Sequence, residues 1–332
     1  MPEISFDFKR YIEQRKGADD ALARSGAAYA YPGDLRVLRT LERVTPVSLA
    51  VEATVRLWKN VARSEILGSA VKVTDKQFPE LHALTQRCAA RLHIAAPTVY
   101  VYPEVGALNA HTFGTNEDSY IVLNGVLVDH LTAEELRFVI GHECGHIQNS
   151  HVVFITALHY LMYSANQFVR WIVTPAVLAL QSWTRRAEIT CDRAGLICCG
   201  DPGAAQSALV KLALGSAKLA ERVDIEEYLK QLDEGQQGAG RLLELFRSHP
   251  YLPKRVEALR LFAQTHYYLK AAGHHPADGE GHSLGWCDAQ VKRLVSVLRK
   301  GKDKSKDKGK DKGKDKGTSE RRDPASSGED KE

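Results

Sequence analysis

Leu131-Thr-Ala-Glu-Glu-Leu-Arg-Phe-Val-Ile-Gly-His-Glu-Cys-Gly-His146 is the stretch whose reading decides the fold. Thr132 followed three residues later by Glu135 is a capping-box signature, each side chain satisfying the other residue's backbone N–H. The helix predicted to start there runs through Gly141-His-Glu-Cys-Gly-His146. His142 and His146 then lie one turn apart on one face, so both imidazoles can reach a single ion. Glu143 points beside that ion rather than at it, where a base must sit to take a proton from an activated water. This H-E-x-x-H spacing is the pattern of a zinc site. Cys144 falls on roughly the opposite side of the helix and reads as a packed thiol.

A zinc ion that does chemistry takes three protein ligands and keeps a fourth position open. Glu188-Ile-Thr-Cys-Asp192 supplies the candidate third ligand from a second predicted helix that begins near Ser182. Glu188 is placed to ligate. Asp192, one turn further on the same face, is placed behind the ligands to accept an N–H from a ligand histidine, which would fix its tautomer. The competing reading of Glu188 and Asp192 is a solvated acidic pair near Arg185, Arg186 and Arg193. The expected complement is one Zn2+ per chain. His151 would sit about half a turn off the ligand face if the helix continued. His274, His275 and His282, in a Gly-rich segment, read as loop histidines.

Around this centre the pattern changes period. Residues 5–70 read as helical, with a break at Tyr31-Pro-Gly-Asp34 and an interruption at Pro46. A helix is predicted over Lys76–Leu92, then strands over Thr98–Tyr102, Ala107–Phe113 and Ser119–Leu123. Val152–Tyr163 and Phe168–Leu180 are strongly apolar, and Arg170 is the only Lys, Arg, Asp or Glu between Cys144 and Thr184. Each apolar run is shorter than the roughly 20 residues that cross a bilayer. A buried helical hairpin is the preferred reading, with peripheral membrane contact through 152–180 the competing one.

The division expected is an N-terminal helical segment over 1–70, a domain carrying the motifs over 71–298, and a disordered Lys/Asp/Gly-rich tail over 299–332. The last 32 residues contain no aromatic or branched apolar side chain and cannot offset their ordering entropy by burial. Their 11 Lys and Arg against 9 Asp and Glu leave only +2, which reads as a solvated tail. For the whole chain the formal net charge of +4, without an aromatic-interleaved basic face, gives no support for nucleic-acid binding. Six cysteines without a C-x-x-C pair read as reduced thiols. The charged N-terminus has no apolar core of a secretory signal, so the expected location is the cytoplasm or the inner face of the membrane. The fold class expected is α+β, mostly helical, with a small sheet beside the H-E-x-x-H helix.

These residues together resemble the M48 family of zinc metallopeptidases, which includes the bacterial membrane-bound heat-shock protease and the CaaX prenyl endopeptidase. The likeness rests on Gly141-His-Glu-Cys-Gly-His146, the Glu188-xxx-Asp192 helix, Leu108-Asn-Ala110 with the strand Tyr120-Ile-Val-Leu, and Ser248-His-Pro250 with Arg255. It covers roughly residues 65–265 and is closer to the soluble or peripheral bacterial members. The resemblance implies a zincin-like core, Glu188 as third ligand, and Asp192 behind it. It also implies that Asn109 and Ala110 lie on an edge strand that binds extended peptide. His249 or Arg255 would stabilise the oxyanion or organise the site, and a structural salt bridge is the other reading of Arg255. The activity implied is hydrolysis of internal bonds of a peptide or protein substrate, with Glu143 as general base. The alternative from a different class is a non-catalytic metal-binding or chaperone-like interaction protein.

Overall fold

The computed structural model describes residues 27–41, 51, 64, 68–103, 108–115, 118–163, 167–235, 252–275 and 280–295. A four-stranded sheet is built from β1 (Val71–Lys72), β2 (Thr98–Tyr102), β3 (Ala110–Gly114) and β4 (Ser119–Asn124) in the order β1-β2-β4-β3. β2 runs parallel to β4, while β1 and β3 are antiparallel to their neighbours. β3 is therefore an edge strand. Its described part begins at Ala110, next to Asn109, whose side-chain Oδ1 accepts from the Ala110 N–H at 3.0 Å; Ala107, the expected start, lies outside the described residues. At its other end Gly114 has φ 120°, and a Cβ there would stand 2.1 Å from the Asp118 carbonyl oxygen, so only glycine closes this hairpin.

The described helices are α1 (Pro32–Leu41), α2 (Pro79–Arg91), α3 (Gly125–His130), α4 (Ala133–Gln148), α5 (Val152–Tyr163) and α6 (Gln167–Cys199). There follow α7 (Pro202–Leu214), α8 (Ala217–Ala220), α9 (Ile225–Gly235), α10 (Leu252–Ala263), α11 (His266–Ala271) and α12 (Leu284–Val295). The architecture is thus mostly helical α+β, as expected from the pattern. Most of the 1–70 segment, Ser248-His-Pro250 and the whole 299–332 tail lie outside the described residues.

Helix α4 begins as its sequence dictates. The Glu135 N–H donates to Thr132 Oγ1 at 3.3 Å and the Thr132 N–H to Glu135 Oε2 at 2.8 Å, the reciprocal capping box. Its end was not visible in the pattern. Ser150 adopts the left-handed conformation (φ 57°), with Ser150 N–H on Ile147 O at 3.1 Å and His151 N–H on His146 O at 2.9 Å. These are the two bonds of a Schellman stop, here closed by serine instead of the usual glycine. The chain doubles back, and His151 comes underneath the helix it follows.

The main core gathers Val99, Ile121 and Leu123 of the sheet, Leu136, Phe138, Val139 and Ile140 of α4, and apolar residues of α2, α6, α7, α10 and α12. A second cluster packs Val153, Phe154, Ala157 and Leu158 of α5 against Ala176, Leu180, Trp183 and Ala187 of α6. Leu38 and Leu41 of α1 complete it. The two apolar runs therefore face each other, and α6 continues through Pro175. Among the described residues, no helix is long and apolar enough to cross a membrane.

Candidate metal centre

Two small-residue faces let α4 and α6 approach closely. A Cβ on Gly141 would meet Cys198 Cβ at 2.6 Å, one on Gly145 would meet Ala194 Cβ at 2.7 Å, and one on Gly195 would meet the Phe138 carbonyl oxygen at 2.7 Å. This contact lays the Glu188 turn of α6 over the His142–His146 turn of α4. His142, Glu143, His146 and Glu188 are all buried.

The three expected ligands converge. His142 Nε2 and His146 Nε2 are 3.2 Å apart. Glu188 Oε2 is 3.7 Å from His142 Nε2, and Glu188 Oε1 is 3.6 Å from His146 Nε2. Two donors each about 2.0–2.1 Å from a tetrahedral zinc ion stand roughly 3.3 Å from each other. The histidine pair matches that spacing, each Glu188 oxygen stands slightly farther from the imidazole it faces, and two imidazole nitrogens with a carboxylate are a donor set that suits zinc.

On the far side of its ring, His142 Nδ1 is 3.0 Å from Asp192 Oδ1. Arg255 clamps the same carboxylate from the far side, with Nε to Oδ2 at 2.8 Å and Nη2 to Oδ1 at 2.6 Å. Its Nη1 also lies 3.0 Å from Glu188 Oε2. Of the roles open to Arg255, the geometry is that of a salt-bridging organiser of the two carboxylates. Burial acts to raise the Asp192 pKa, but the Arg255 charge, its hydrogen bonds and His142 together hold it below the usual carboxylate value. Burial also acts to lower His142, yet the bond to Asp192 and the charges of Glu188 and Asp192 leave it raised without a metal. For His146, burial prevails over its bond to Glu188, and its pKa is lowered.

Glu143 meets a partner that the sequence did not suggest. Thr112 on β3 donates its hydroxyl to Glu143 Oε2 at 2.5 Å. Pairing of Asn124 N–H with Asn109 O, at 3.0 Å, makes 109 and 111 face β4, so the backbone groups of Ala110 and Thr112 point off the outer edge of the sheet, which α5 meets at Gly114, whose N–H donates to Thr156 Oγ1 at 3.2 Å. Asn109 and Ala110 thus sit at the start of that edge. His249 lies outside the described residues. His151, set aside in the sequence, lies with its Nδ1 3.2 Å from His146 Nδ1, because α4 stops where a continuous helix would have carried it away.

The family model for peptidase family M48 matches residues 75–263, more than half of the chain. The chain belongs to peptidase family M48. A chloroplastic plastoglobule-localized metallopeptidase 48 of Arabidopsis thaliana is 34% identical over 171 residues, 50% of this chain and 49% of that protein. A protease HtpX homolog of Moorella thermoacetica is 27% identical over 230 residues, 59% of this chain and 76% of its own length. Another, from Streptomyces coelicolor, is 27% identical over 223 residues, 56% and 72% of the two chains. This M48 chain therefore spans about half the length of the plant relative and about three quarters of the bacterial ones. No solved structure matches it. The matched span contains His142, Glu143, His146, Glu188, Asp192 and Arg255, and it leaves out everything before residue 75.

Proposed function

We propose that the chain is a zinc-dependent metalloendopeptidase in which His142, His146 and Glu188 hold one zinc ion and Glu143 is the general base. The observation that carries this reading is the convergence of two imidazole Nε2 atoms, 3.2 Å apart, with the Glu188 carboxylate, whose Oε2 and Oε1 lie 3.7 and 3.6 Å from His142 and His146 respectively. When bound, zinc supplies Lewis acidity, lowering the pKa of water from about 15.7 toward about 7 and polarising a carbonyl. Asp192 accepts the Nδ1–H of His142 and so turns its Nε2 lone pair toward the ion. Glu143 takes the proton of the attacking water on the oxygen that Thr112 leaves open, then delivers it to the leaving amine as the C–N bond breaks. The substrate is an extended peptide laid along β3, where the Ala110 carbonyl and the backbone N–H and carbonyl of Thr112 are offered, the Ala110 N–H being held by Asn109. His249 is the proposed donor to the oxyanion, by the resemblance that first singled it out.

Elemental mass spectrometry of the purified wild type should find about one zinc per chain, and the Glu188→Ala variant should lose it. Glu143→Gln should keep the metal and lose at least about 100-fold in hydrolysis of an unfolded protein substrate. Full activity in that variant would remove the base assignment. A metal content unaffected by Glu188→Ala would remove the ligand assignment.

A further inference from the structure

Each metal-facing histidine has a second ring nitrogen, and the two are backed differently. His142 leans directly on the Asp192 carboxylate. His146 leans on a second imidazole: its Nδ1 is 3.2 Å from His151 Nδ1, with the rings 5.4 Å apart and near perpendicular at 67°. His151 has no solvent exposure, and its Nε2 is 3.0 Å from Asp34 Oδ2, a contact bent away from the ring N–H axis. Asp34 stands in the first turn of α1 and is itself fully buried. Trp183 Nε1 donates to its Oδ1 at 2.7 Å and Thr190 Oγ1 to its Oδ2 at 2.8 Å. Burial alone would raise the Asp34 pKa, but His151, Thr190 and Trp183 hold it below the usual value.

Proton positions follow from these partners. The Asp34 carboxylate oxygen lies 3.0 Å from His151 Nε2, and although it is off the ring axis its negative charge favours a hydrogen on that nitrogen over a lone pair. In the neutral ring Nδ1 is then an acceptor. His146 donating its Nδ1–H to it turns the His146 Nε2 lone pair toward Glu188 and His142, the direction in which a metal ion would accept it. The other group at His151 Nδ1 is Cys191 Sγ at 3.6 Å. Together His146, His151 and Cys191 make a second convergent trio. Burial, with the neighbouring carboxylates of Glu188 and Asp34, pushes the Cys191 thiol pKa well up. The His151 Nδ1 lone pair therefore has the His146 N–H as its nearer partner, at 3.2 against 3.6 Å.

We propose that Asp34 and His151 are positioning residues for His146, forming a buried carboxylate–imidazole–imidazole relay that fixes the Nδ1–H tautomer and raises the affinity of the centre for zinc. The proposal rests on the reading of His146 as a zinc ligand. Asp34 lies before the family-matched span, so this chain brings its own N-terminal helix into the support of the shared centre. Partners behind a ligand histidine are typically worth about 10–100-fold in metal affinity.

The test uses the full chain, stripped of metal and titrated with Zn2+ against a chromophoric chelator, with folding checked by circular dichroism. His151→Phe, which removes the acceptor, should weaken zinc binding by about 10–100-fold, and Asp34→Asn should weaken it in the same direction. His151→Asn, which can keep an acceptor near the Nδ1 position, should bind more tightly than His151→Phe. Long-range 1H–15N correlation spectra of the stripped wild type should report His146 as the Nδ1–H tautomer and His151 as Nε2–H. Wild-type zinc affinity in a folded His151→Phe variant would overturn the relay, as would the opposite tautomers or a second zinc held through Cys191. Should the phenylalanine variant not fold, the tautomers decide. A wild type that takes up no zinc defeats the metal reading, and the spectra still judge the hydrogen-bond chain by itself.

Discussion

Thr112 joins the sheet to the chemistry of the helix. Its single hydroxyl proton goes to Glu143 Oε2 at 2.5 Å, with the Glu143 carbonyl oxygen farther away at 3.4 Å. One carboxylate oxygen is thereby fixed and the other is left for a proton in transit. Thr112→Val keeps the branched shape and removes only the donor. A hydrogen bond to a charged group is worth about 1.5–3 kcal/mol, or roughly 10–100-fold. Steady-state kinetics should show kcat falling within that range while zinc content stays at the wild-type value. Unchanged kcat would mean that Glu143 needs no such hold. The residue scale also marks where the sequence was readable. His142, Glu143 and His146 share one short periodic motif, and Glu188 with Asp192 has its own. Thr112, His151 and Asp34 reach the centre only through a strand edge, a left-handed serine and a helix more than 100 residues away, none of which leaves a periodic trace.

Between elements, the decisive contact is α4 against α6, and glycine makes it possible. Gly141 and Gly145 sit inside the helix that carries the histidines, where their intrinsic cost is about 1 kcal/mol each relative to alanine. Their return is proximity: at Gly145 an added methyl would meet Ala194 Cβ at 2.7 Å and Cys191 Cα at 3.1 Å. Neither neighbour is the movable tip of a long side chain, so α6 itself must shift. Gly145→Ala should therefore destabilise the fold by about 1–3 kcal/mol despite alanine's better helix propensity. It should also weaken zinc binding, since Glu188 rides on the displaced helix. A thermal melt and a chelator competition check the two effects, and an unchanged Tm with unchanged affinity would refute the packing argument. The helix start at Thr132 and Glu135 was legible because a capping box is written in adjacent residues. The stop at Ser150 was not, because serine carries no general preference for φ > 0.

Across the whole molecule, two buried carboxylates tie distant elements to the centre, and both make stability depend on acid. Asp34 fastens α1 to Trp183 and Thr190 of α6. Glu135, the capping residue of α4, also receives Ser207 Oγ at 2.6 Å and Lys211 Nζ at 2.9 Å from α7. Burial would raise the Glu135 pKa, but the bonds from Lys211, Ser207 and Thr132 and the Lys211 charge bring it below the ordinary value. With both folded pKa values below the unfolded ones of about 3.9 for Asp and 4.3 for Glu, the unfolded chain binds more protons in acid. The stability these groups contribute is complete above those values and is lost as pH falls through the folded ones. Denaturant unfolding should therefore show stability dropping below about pH 4. Glu135→Gln isolates one of the two groups, since glutamine preserves the capping box while removing the charge opposite buried Lys211. At neutral pH it should cost about 1–3 kcal/mol, and its acid limb should be shallower than that of the wild type. An acid limb of unchanged slope would place the proton uptake at other carboxylates and reduce the α4–α7 tie to a local contact.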